Sequence, residues 1–504
     1  MSTETNPFGQ ADCESELKAL KFEYSELYFD ETPFNSEAIK PQTYLIIGRR
    51  GSGKTALAQY FSFQKVLREP IYIDVDEPRV YQKVLSDVAS RASESREIAI
   101  PRLQKVWYYV IWCVIFEHTR EYSKTIAEAC DETCSTGGVS HLINTIIDRL
   151  LVMLHDSDGK IIDERIEQLL SDERLDSART EVLRIAAKRP IIVAFDTLEK
   201  YDISNDALMN AMAALVQCAA DFSLSFRDKG VHLKVFMSGE VFPYLKEDVL
   251  ENPLKSVKSP VYLFWRPRDL LRLISWRFFR YLEAENLLRK ESKVEIDWVN
   301  HREVLEKMWI PYFGEYITNA RNMKESTFYY VLRHTQMRPR QLILLCNAIA
   351  ELAMKAGRFP RFSEEDILVA IKQAESDLAI EIINSFSKAY KNVSTIVDAL
   401  MRMPMLFSGK ELDKRASQSA TEWPDDSYSS AKFRRLVAEL GIVGRVRRHN
   451  EEAGYIDADF EYSLRERLPI THRDECVIHP MFYSRFNIEF NSGSRVMPFS
   501  TERD

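Results

Sequence analysis

One glycine-rich stretch of this sequence has the residue types and the spacing to bind phosphate groups. It follows the pattern G-x-x-x-x-G-K-T of a phosphate-binding loop, in which glycines allow conformations and close approach that a Cβ would block. The backbone amides can then surround phosphate oxygens. Lys54 would contact the β- and γ-phosphates of ATP, and the hydroxyl of Thr55 would ligate Mg²⁺. The predicted nucleotide-binding residues are Gly48, Arg49, Arg50, Gly51, Ser52, Gly53, Lys54, Thr55 and Ala56.

The second candidate for a functional site residue is an aspartate at the end of an apolar run. The five apolar residues Ile191–Phe195 precede Asp196, and a run without alternation is typical of a strand that is buried on both faces. Asp196 would emerge at the carboxyl end of this strand, where open α/β sheets bind ligands, and would hold Mg²⁺ directly or through water. Glu199 would polarise the attacking water. The alternative is a core strand that ends in a capping aspartate.

The third candidate for a functional site residue is a serine that follows another predicted strand. Residues 231–237 predict a strand, and Ser238 follows it. In many P-loop ATPases a polar residue at this position contacts the γ-phosphate, so we expect Ser238 to do so, with Glu240 as the second choice. A simple turn at the end of the strand is an equally good interpretation.

The elements that must position these residues predict an α/β fold. Five short apolar runs predict strands at 43–47, 71–75, 191–195, 231–237 and 261–265. Apolar residues at three- and four-residue spacing predict mostly helix between Pro78 and about Arg189. We therefore predict a P-loop nucleotide-binding domain over residues 1–265, with a parallel sheet and a large helical insertion at about 80–188.

The next segment, 266–385, predicts an all-helical lid. Pro339 suits the first turn of a helix, which places Arg338 and Arg340 at a helix start. Ser363 has the spacing of a capping box at the start of a further helix.

The last segment, 386–504, predicts a winged-helix domain and a C-terminal tail. Three helical stretches are followed by two strands that a short turn joins, which is the order of elements in a winged helix. Between Lys432 and Arg448 six basic residues stand against one acid, so residues 429–462 are a candidate DNA-binding surface. The alternative is a winged helix that packs against the nucleotide-binding domain or a protein partner.

Composition limits the class of protein. The 504 residues require roughly two to four domains. The net charge of -8 argues against a protein that coats nucleic acid over its whole surface. The longest apolar run, Val106–Phe116, is well short of the roughly 20 residues that span a bilayer, and the N-terminus lacks the features of a signal peptide. With seven scattered cysteines, these features predict a cytoplasmic protein without a membrane segment.

Two of the cysteines raise the question of a zinc site. Cys130 and Cys134 lie four residues apart, with His118 and His141 nearby. The usual C-x₂-C spacing is absent, so one face of a helix is the better interpretation of this pattern.

The order of these motifs resembles that of the AAA+-related and STAND groups of P-loop ATPases, including origin-recognition-like proteins. More narrowly, the chain resembles bacterial P-loop ATPases of the kind found near phage-defence genes. The resemblance depends on Ile47–Ala56, Met337–Ile343 and Val477–Tyr483. One departure is that Glu199 lies three positions after Asp196, whereas the paired acids of typical AAA+ proteins are adjacent.

The resemblance also implies roles for arginines. Arg340 resembles the lid arginine that contacts the γ-phosphate, because it lies at the start of a lid helix, and Arg338 is the fallback. Arg266 and Arg268 are candidates for an arginine finger that acts in trans.

Together these features predict an ATP-binding and ATP-hydrolysing regulatory switch. It would control a partner effector in a bacterial defence or conflict system, within an oligomer or an effector complex. The alternatives are a DNA-binding ATPase, either a loader or a transposition-type helper, a small-molecule kinase, and an ATP-bound scaffold that does not hydrolyse.

Overall fold

The computed structural model describes most of the chain as two compact units. The parallel-sheet unit comprises Pro33–Arg50 and Lys54–Leu263, and the C-terminal unit comprises Met1–Thr32, Gly51–Gly53 and Phe264–Asp504. The described residues are 6–20, 24–29, 31–59, 69–75, 95–131, 164, 166–167, 170–171, 173–196, 205–250, 252–424 and 428–500. The two boundaries between the three domains that the sequence predicts stay predictions.

The first unit is built on a five-stranded sheet. Its strands are β1 (Leu45–Gly48), β2 (Ile71–Val75), β3 (Ile191–Phe195), β4 (Val231–Ser238) and β5 (Val261–Tyr262). Their order is β2-β3-β4-β1-β5, and the four pairings are all parallel. Strands β1, β3 and β4 are buried at every position, which explains the apolar runs of β1 and β3. Strand β4 also contains the buried polar residues His232, Lys234 and Ser238. The sheet confirms the predicted fold class.

Helices accompany the sheet in this unit. Those described are Pro33–Ala38, Lys54–Ala58, Arg96–Thr119, Lys124–Asp131, Glu173–Ala186, Asp206–Phe226, Phe242–Tyr244 and Pro253–Ser256. The longest pair packs together, and the indole of Trp107 donates a hydrogen bond to the carbonyl of Ala211 (2.9 Å). Three of these helices lie in the predicted helical insertion.

One helical stretch among the described residues, Asp206–Lys229, is long and apolar enough to cross a membrane, judged by length and composition. However, 72% of its most apolar window is buried inside the protein. Its side chains, such as those of Met212 and Phe222, pack in the core beneath the parallel sheet. The burial is that of a core helix.

The C-terminal unit is mostly helical. Its helices are Cys13–Leu20, Tyr24–Leu27, Pro267–Ala284, His301–Val304, Ile310–Phe313, Thr327–Arg333, Pro339–Lys355, Glu364–Ser385, Val393–Val397, Gly409–Gln418, Ser430–Glu439 and Tyr483–Phe486. Side chains of Ser363 and Ser408 form capping boxes at two of these helices, and the former confirms a prediction.

The N-terminal segment, which the sequence analysis assigns to the nucleotide-binding domain, packs on a helix of the C-terminal unit. The described residues before Pro33 belong to the C-terminal unit. Phe8 is fully buried and stacks on Phe278 (4.6 Å between ring centroids), and Glu16 forms a buried ion pair with Arg277. Apolar burial and this ion pair fix the segment to the helix Pro267–Ala284.

The sequence predicts an all-helical lid, but the lid segment also contains two short strands. A two-stranded antiparallel sheet, β6 (Tyr316–Thr318) and β7 (Lys324–Ser326), interrupts it. The side-chain oxygen of Asn319 accepts hydrogen bonds from the amides of Arg321 (2.8 Å) and Met323 (3.1 Å) and so closes the turn. A side chain that hydrogen-bonds to its own turn favours a hairpin over a continuous helix.

The winged helix is present and carries a larger sheet than predicted. The strands are β8 (Leu406–Ser408), β9 (Val443–Asn450), β10 (Tyr455–Asp459), β11 (Glu475–Ile478) and β12 (Arg495–Met497), in the order β12-β10-β9-β11-β8. The hairpin β9–β10 is the predicted wing, and the helix Ser430–Glu439 precedes it. The sequence did not identify β8, β11 or β12.

Candidate phosphate-binding site

The glycine-rich loop joins the end of β1 to the helix that begins at Lys54. Gly51 and Gly53 have φ values of +77° and +95°, which L-residues rarely adopt. A Cβ on Gly53 would meet no atom within 4 Å, so the backbone conformation alone calls for glycine there. The strand, the loop and the helix therefore have the predicted order, and Gly51 and Gly53 have a positive φ.

The side chain of Lys54 lies within the loop. It is 3% exposed, and its ammonium donates hydrogen bonds to the carbonyls of Gly48 (2.9 Å) and Arg49 (3.3 Å). Within the described part of the chain, the buried hydroxyl of Ser52 has no hydrogen-bond partner. A buried hydroxyl ordinarily has a hydrogen-bond partner. Thr55 and Ala56 follow in the first turn of the helix and are partly exposed.

The end of β4 lies beside this loop. Ser238 pairs in register with Gly48, and the amide of Gly239 donates to the carbonyl of Gly48 (3.0 Å). The hydroxyl of Ser238 donates to the carboxylate of Glu240 (2.7 Å), which also accepts from the amide of Arg50 (3.1 Å). Both polar candidates after β4 therefore lie at the loop.

Asp196 follows β3 directly and is 1% exposed. Its neighbour Phe195 pairs with Val235, so Asp196 lies near the same edge of the sheet as Ser238, three residues further along β4. The carboxylate of Asp196 and the hydroxyl of Thr55 are oxygen donors, the ligands that Mg²⁺ prefers. The other predicted acid, Glu199, lies outside the described residues.

The zinc hypothesis is not tested by the structure. His118 lies in the helix Arg96–Thr119 and Cys130 is buried in the next helix, whereas Cys134 and His141 lie outside the described residues. Among the described residues, no group of three or more His, Cys, Asp or Glu side chains is arranged to hold a metal ion.

The predicted lid arginines lie at a helix start, which confirms the prediction from Pro339. Within the C-terminal unit, the amide of Arg340 donates to the carbonyl of Gly51 (3.3 Å), and a Cβ on Gly51 would come within 3.0 Å of the Arg340 side chain. The guanidinium of Arg340 lies 3.5 Å from the carboxylate of Glu381. Arg338 instead donates to the side chain of Gln336 (2.8 Å).

The two candidates for an arginine finger flank the start of another helix. Arg266 precedes Pro267, the first residue of the helix Pro267–Ala284, and its side chain is exposed. Arg268 lies in the first turn of this helix and is partly exposed. Their role in trans stays a prediction.

Three of the six basic residues of the third helix and wing have carboxylate partners within the fold. Arg435 makes two hydrogen bonds to the carboxylate of Glu461 (2.6 and 2.7 Å), and Arg447 lies 3.3 Å from the carboxylate of Asp459. Arg434 pairs with an aspartate on the preceding helix. Over residues 429–462 as a whole, six basic residues stand against six acidic ones. The local excess of positive charge therefore does not extend over the predicted DNA-binding surface.

Sequence reasoning missed one buried charge near the site. Lys234 lies inside β4, is 1% exposed and donates to three main-chain carbonyls. A single lysine within an otherwise apolar strand was the available signal, because a buried ammonium needs nearby acceptors.

One protein-family model matches part of the chain. A family model described as the FunZ-associated C-terminal helical domain matches residues 283–381, within the predicted lid. No curated protein matches.

Two solved structures from Aeropyrum pernix are similar to the chain. The ORC1 protein in complex with DNA is 12% identical, with a TM-score of 0.34 over 93% of this chain and 96% of that one. The ORC2 protein in ADPNP–ADP complexes is 12% identical, with a TM-score of 0.29 over 90% of this chain and 93% of that one.

Proposed function

We propose that this chain is a P-loop ATPase that acts as a regulatory switch. The observation that carries the proposal is the loop itself: Gly51 and Gly53 in the left-handed region, followed at once by a helix that begins at the buried Lys54. This backbone directs amides towards an anion at a helix start, and Lys54 adds a positive charge in the same place. A triphosphate is the ligand that such a loop fits best.

The proposed chemistry assigns a role to each candidate. The loop amides and Lys54 bind the phosphates, and Thr55 and Asp196 hold Mg²⁺. When bound, Mg²⁺ neutralises charge on the β- and γ-phosphates. Glu199 orients the attacking water. Ser238 binds the γ-phosphate from the end of β4.

The regulatory part of the proposal concerns what hydrolysis controls. ATP and ADP differ only in the terminal phosphate, so a switch must use contacts that only ATP makes. Arg340 is the proposed contact from the lid. The most specific proposed role is control of a partner effector in bacterial defence. Only the resemblance of the motif order supports this role.

Nucleotide binding and phosphate release test the proposal. We expect Lys54→Ala to weaken ATP binding at least tenfold in isothermal titration, while the exposed Lys188→Ala binds like the wild type. Glu199→Gln should bind ATP yet release little phosphate. A wild-type protein that binds neither ATP nor ADP would overturn the proposal, and unchanged turnover in Glu199→Gln would remove that residue from it.

DNA binding through residues 429–462 is the alternative function. The ion pairs of Arg434, Arg435 and Arg447 weigh against it, because these side chains already have carboxylate partners. A DNA-binding ATPase would show duplex affinity that falls steeply with salt and that is lost in an Arg445, Arg447 and Arg448 triple neutralisation. Absence of a gel shift at low salt would exclude it.

A further inference from the structure

The tripeptide at the end of β4 lies against the first half of the phosphate loop. A Cβ on Gly239 would lie 3.0 Å from the Arg49 side chain and 3.2 Å from the Arg49 amide nitrogen. Because backbone atoms cannot move away as a flexible side chain can, this close approach favours a glycine. Gly239 therefore permits Ser238 and Glu240 to contact the loop on either side of it.

Both oxygens of the Glu240 carboxylate are engaged at this contact. Oε1 accepts a hydrogen bond from the amide of Arg50 (3.1 Å), and Oε2 accepts one from the hydroxyl of Ser238 (2.7 Å). The Ser238 oxygen in turn accepts from the amide of Glu240 (3.2 Å). A hydroxyl has one proton to donate, so this geometry directs the proton of Ser238 at Glu240 rather than at a phosphate.

The same contact is linked to the phosphate-binding lysine. The carbonyl of Gly48 accepts from the amide of Gly239 (3.0 Å) and from the ammonium of Lys54 (2.9 Å). Hydrogen bonds therefore run from Lys54 through the loop backbone to the residues that follow β4. A change at Ser238 or Glu240 acts on the loop through hydrogen bonds already in place.

We infer that Glu240 is a positioning residue that sets how strongly this site prefers ATP to ADP, through its hold on the hydroxyl of Ser238. The inference rests on the proposed function. A terminal phosphate must compete with the Glu240 carboxylate for the single proton of Ser238. When this proton is donated to the phosphate, Glu240 loses the hydrogen bond from Ser238 and keeps the one from the amide of Arg50. The preference for ATP is therefore smaller than Ser238 alone would give.

Glu240→Gln separates these two contacts. The carbonyl oxygen of the glutamine can still accept from the amide of Arg50, whereas its NH₂ group can only donate to Ser238. The proton of Ser238 is then released for the terminal phosphate. One hydrogen bond gained in this way should raise the ratio of ADP to AMP-PNP dissociation constants about three- to tenfold.

A double-mutant design distinguishes positioning from a general structural effect. We expect Ser238→Ala to lower the ratio of ADP to AMP-PNP dissociation constants towards one. In the double variant, Glu240→Gln should cause no further change in this ratio. The exposed Glu97→Gln, in the same unit, is the matched control and should leave the ratio unchanged. Ser238→Ala removes only a hydroxyl, so an unchanged ratio in this variant overturns the inference even where a Glu240 variant fails to fold.

The outcomes separate the inference from the proposed function. An unchanged ratio in Glu240→Gln or in Ser238→Ala overturns the inference, provided that the wild type binds AMP-PNP and Lys54→Ala does not. A rise in the ratio that persists in the double variant also overturns it, because the effect then bypasses Ser238. Failure of the wild type to bind either nucleotide would instead overturn the proposed function.

Discussion

The ammonium of Lys234 in β4 donates a hydrogen bond to the main-chain carbonyl of Thr43, with 2.7 Å between Nζ and O. It also donates to the carbonyls of Ala38 (2.9 Å) and Lys40 (2.6 Å). An ammonium has three protons, and each has a carbonyl acceptor here. Burial lowers the pKa of Lys234 to about 7. The contact ties the segment that enters β1, and hence the start of the phosphate loop, to the neighbouring strand.

Lys234→Met should destabilise the folded protein. Methionine fits the apolar surroundings but leaves three buried carbonyls without this donor, which costs about 1–3 kcal/mol for each group that water does not reach. We expect the midpoint of urea unfolding to fall clearly, whereas the exposed Lys188→Met unfolds like the wild type. Equal midpoints for the two variants would mean that the carbonyls find other donors.

The two positive-φ glycines Gly51 and Gly357 allow a matched test of the loop. Gly357 has φ +68° and open space where a side-chain methyl group would lie, whereas a Cβ on Gly51 would also approach Arg340 within 3.0 Å. Alanine at either position carries about 1–2 kcal/mol of backbone strain. We expect Gly51→Ala to weaken nucleotide binding at least tenfold and Gly357→Ala to lower the melting temperature alone. Normal nucleotide affinity in Gly51→Ala would contradict the role of this glycine in the loop.

The role of Arg340 can be tested against its ion-pair partner. Its guanidinium lies near Glu381 and both side chains are partly exposed, so the pair itself adds little stability. If Arg340 contacts the γ-phosphate, Arg340→Ala should lower turnover about tenfold or more, with almost the same melting temperature. Glu381→Gln leaves the arginine in place and should not lower turnover. Full turnover in Arg340→Ala would assign that role elsewhere, with Arg338 as the next candidate.

The sequence predicted those parts of the fold that depend on local composition. Strands β1, β3 and β4 are buried on both faces, so their apolar runs stand out, and the glycine spacing indicates the loop directly. Strands β8, β11 and β12 have only three or four residues, and β11 pairs between β9 and β8. Such pairing depends on tertiary contacts that no short pattern encodes.

Prediction of the site from the sequence is limited in the same way, because it also depends on tertiary contacts. Asp196 and Ser238 were identified because each ends an apolar run, which is a local signal. The contact between Arg50 and Glu240 spans 190 residues and exists only because β4 lies next to β1 in the sheet. The hydrogen bonds of Lys234 to the segment before β1 depend on the same pairing. Strand order, which the sequence did not predict, therefore decides which polar groups meet at the loop.

Glu375 is a buried carboxylate whose ionisation should make stability depend on pH. It is 6% exposed on the helix Glu364–Ser385 and accepts a hydrogen bond from the hydroxyl of Ser484. Burial raises the pKa of Glu375 from 4.5 to about 7, against the opposing effects of the Ser484 hydroxyl and the positive charge of Arg333. The folded protein therefore holds this proton over a pH range in which the unfolded chain has released it.

The direction of the pH effect follows from this difference in proton binding. Between pH 4.5 and about 7 the folded state binds more protons than the unfolded state, so stability falls as pH rises. Above this range the loss is complete and amounts to about 3 kcal/mol.

Glu375→Gln cannot ionise and should escape the loss. Its free energy of unfolding should exceed that of the wild type at pH 8 and approach it near pH 4, as measured by urea titration. The exposed Glu351→Gln serves as the control, and a Glu375→Gln difference that does not change with pH would show that the carboxylate has an ordinary pKa.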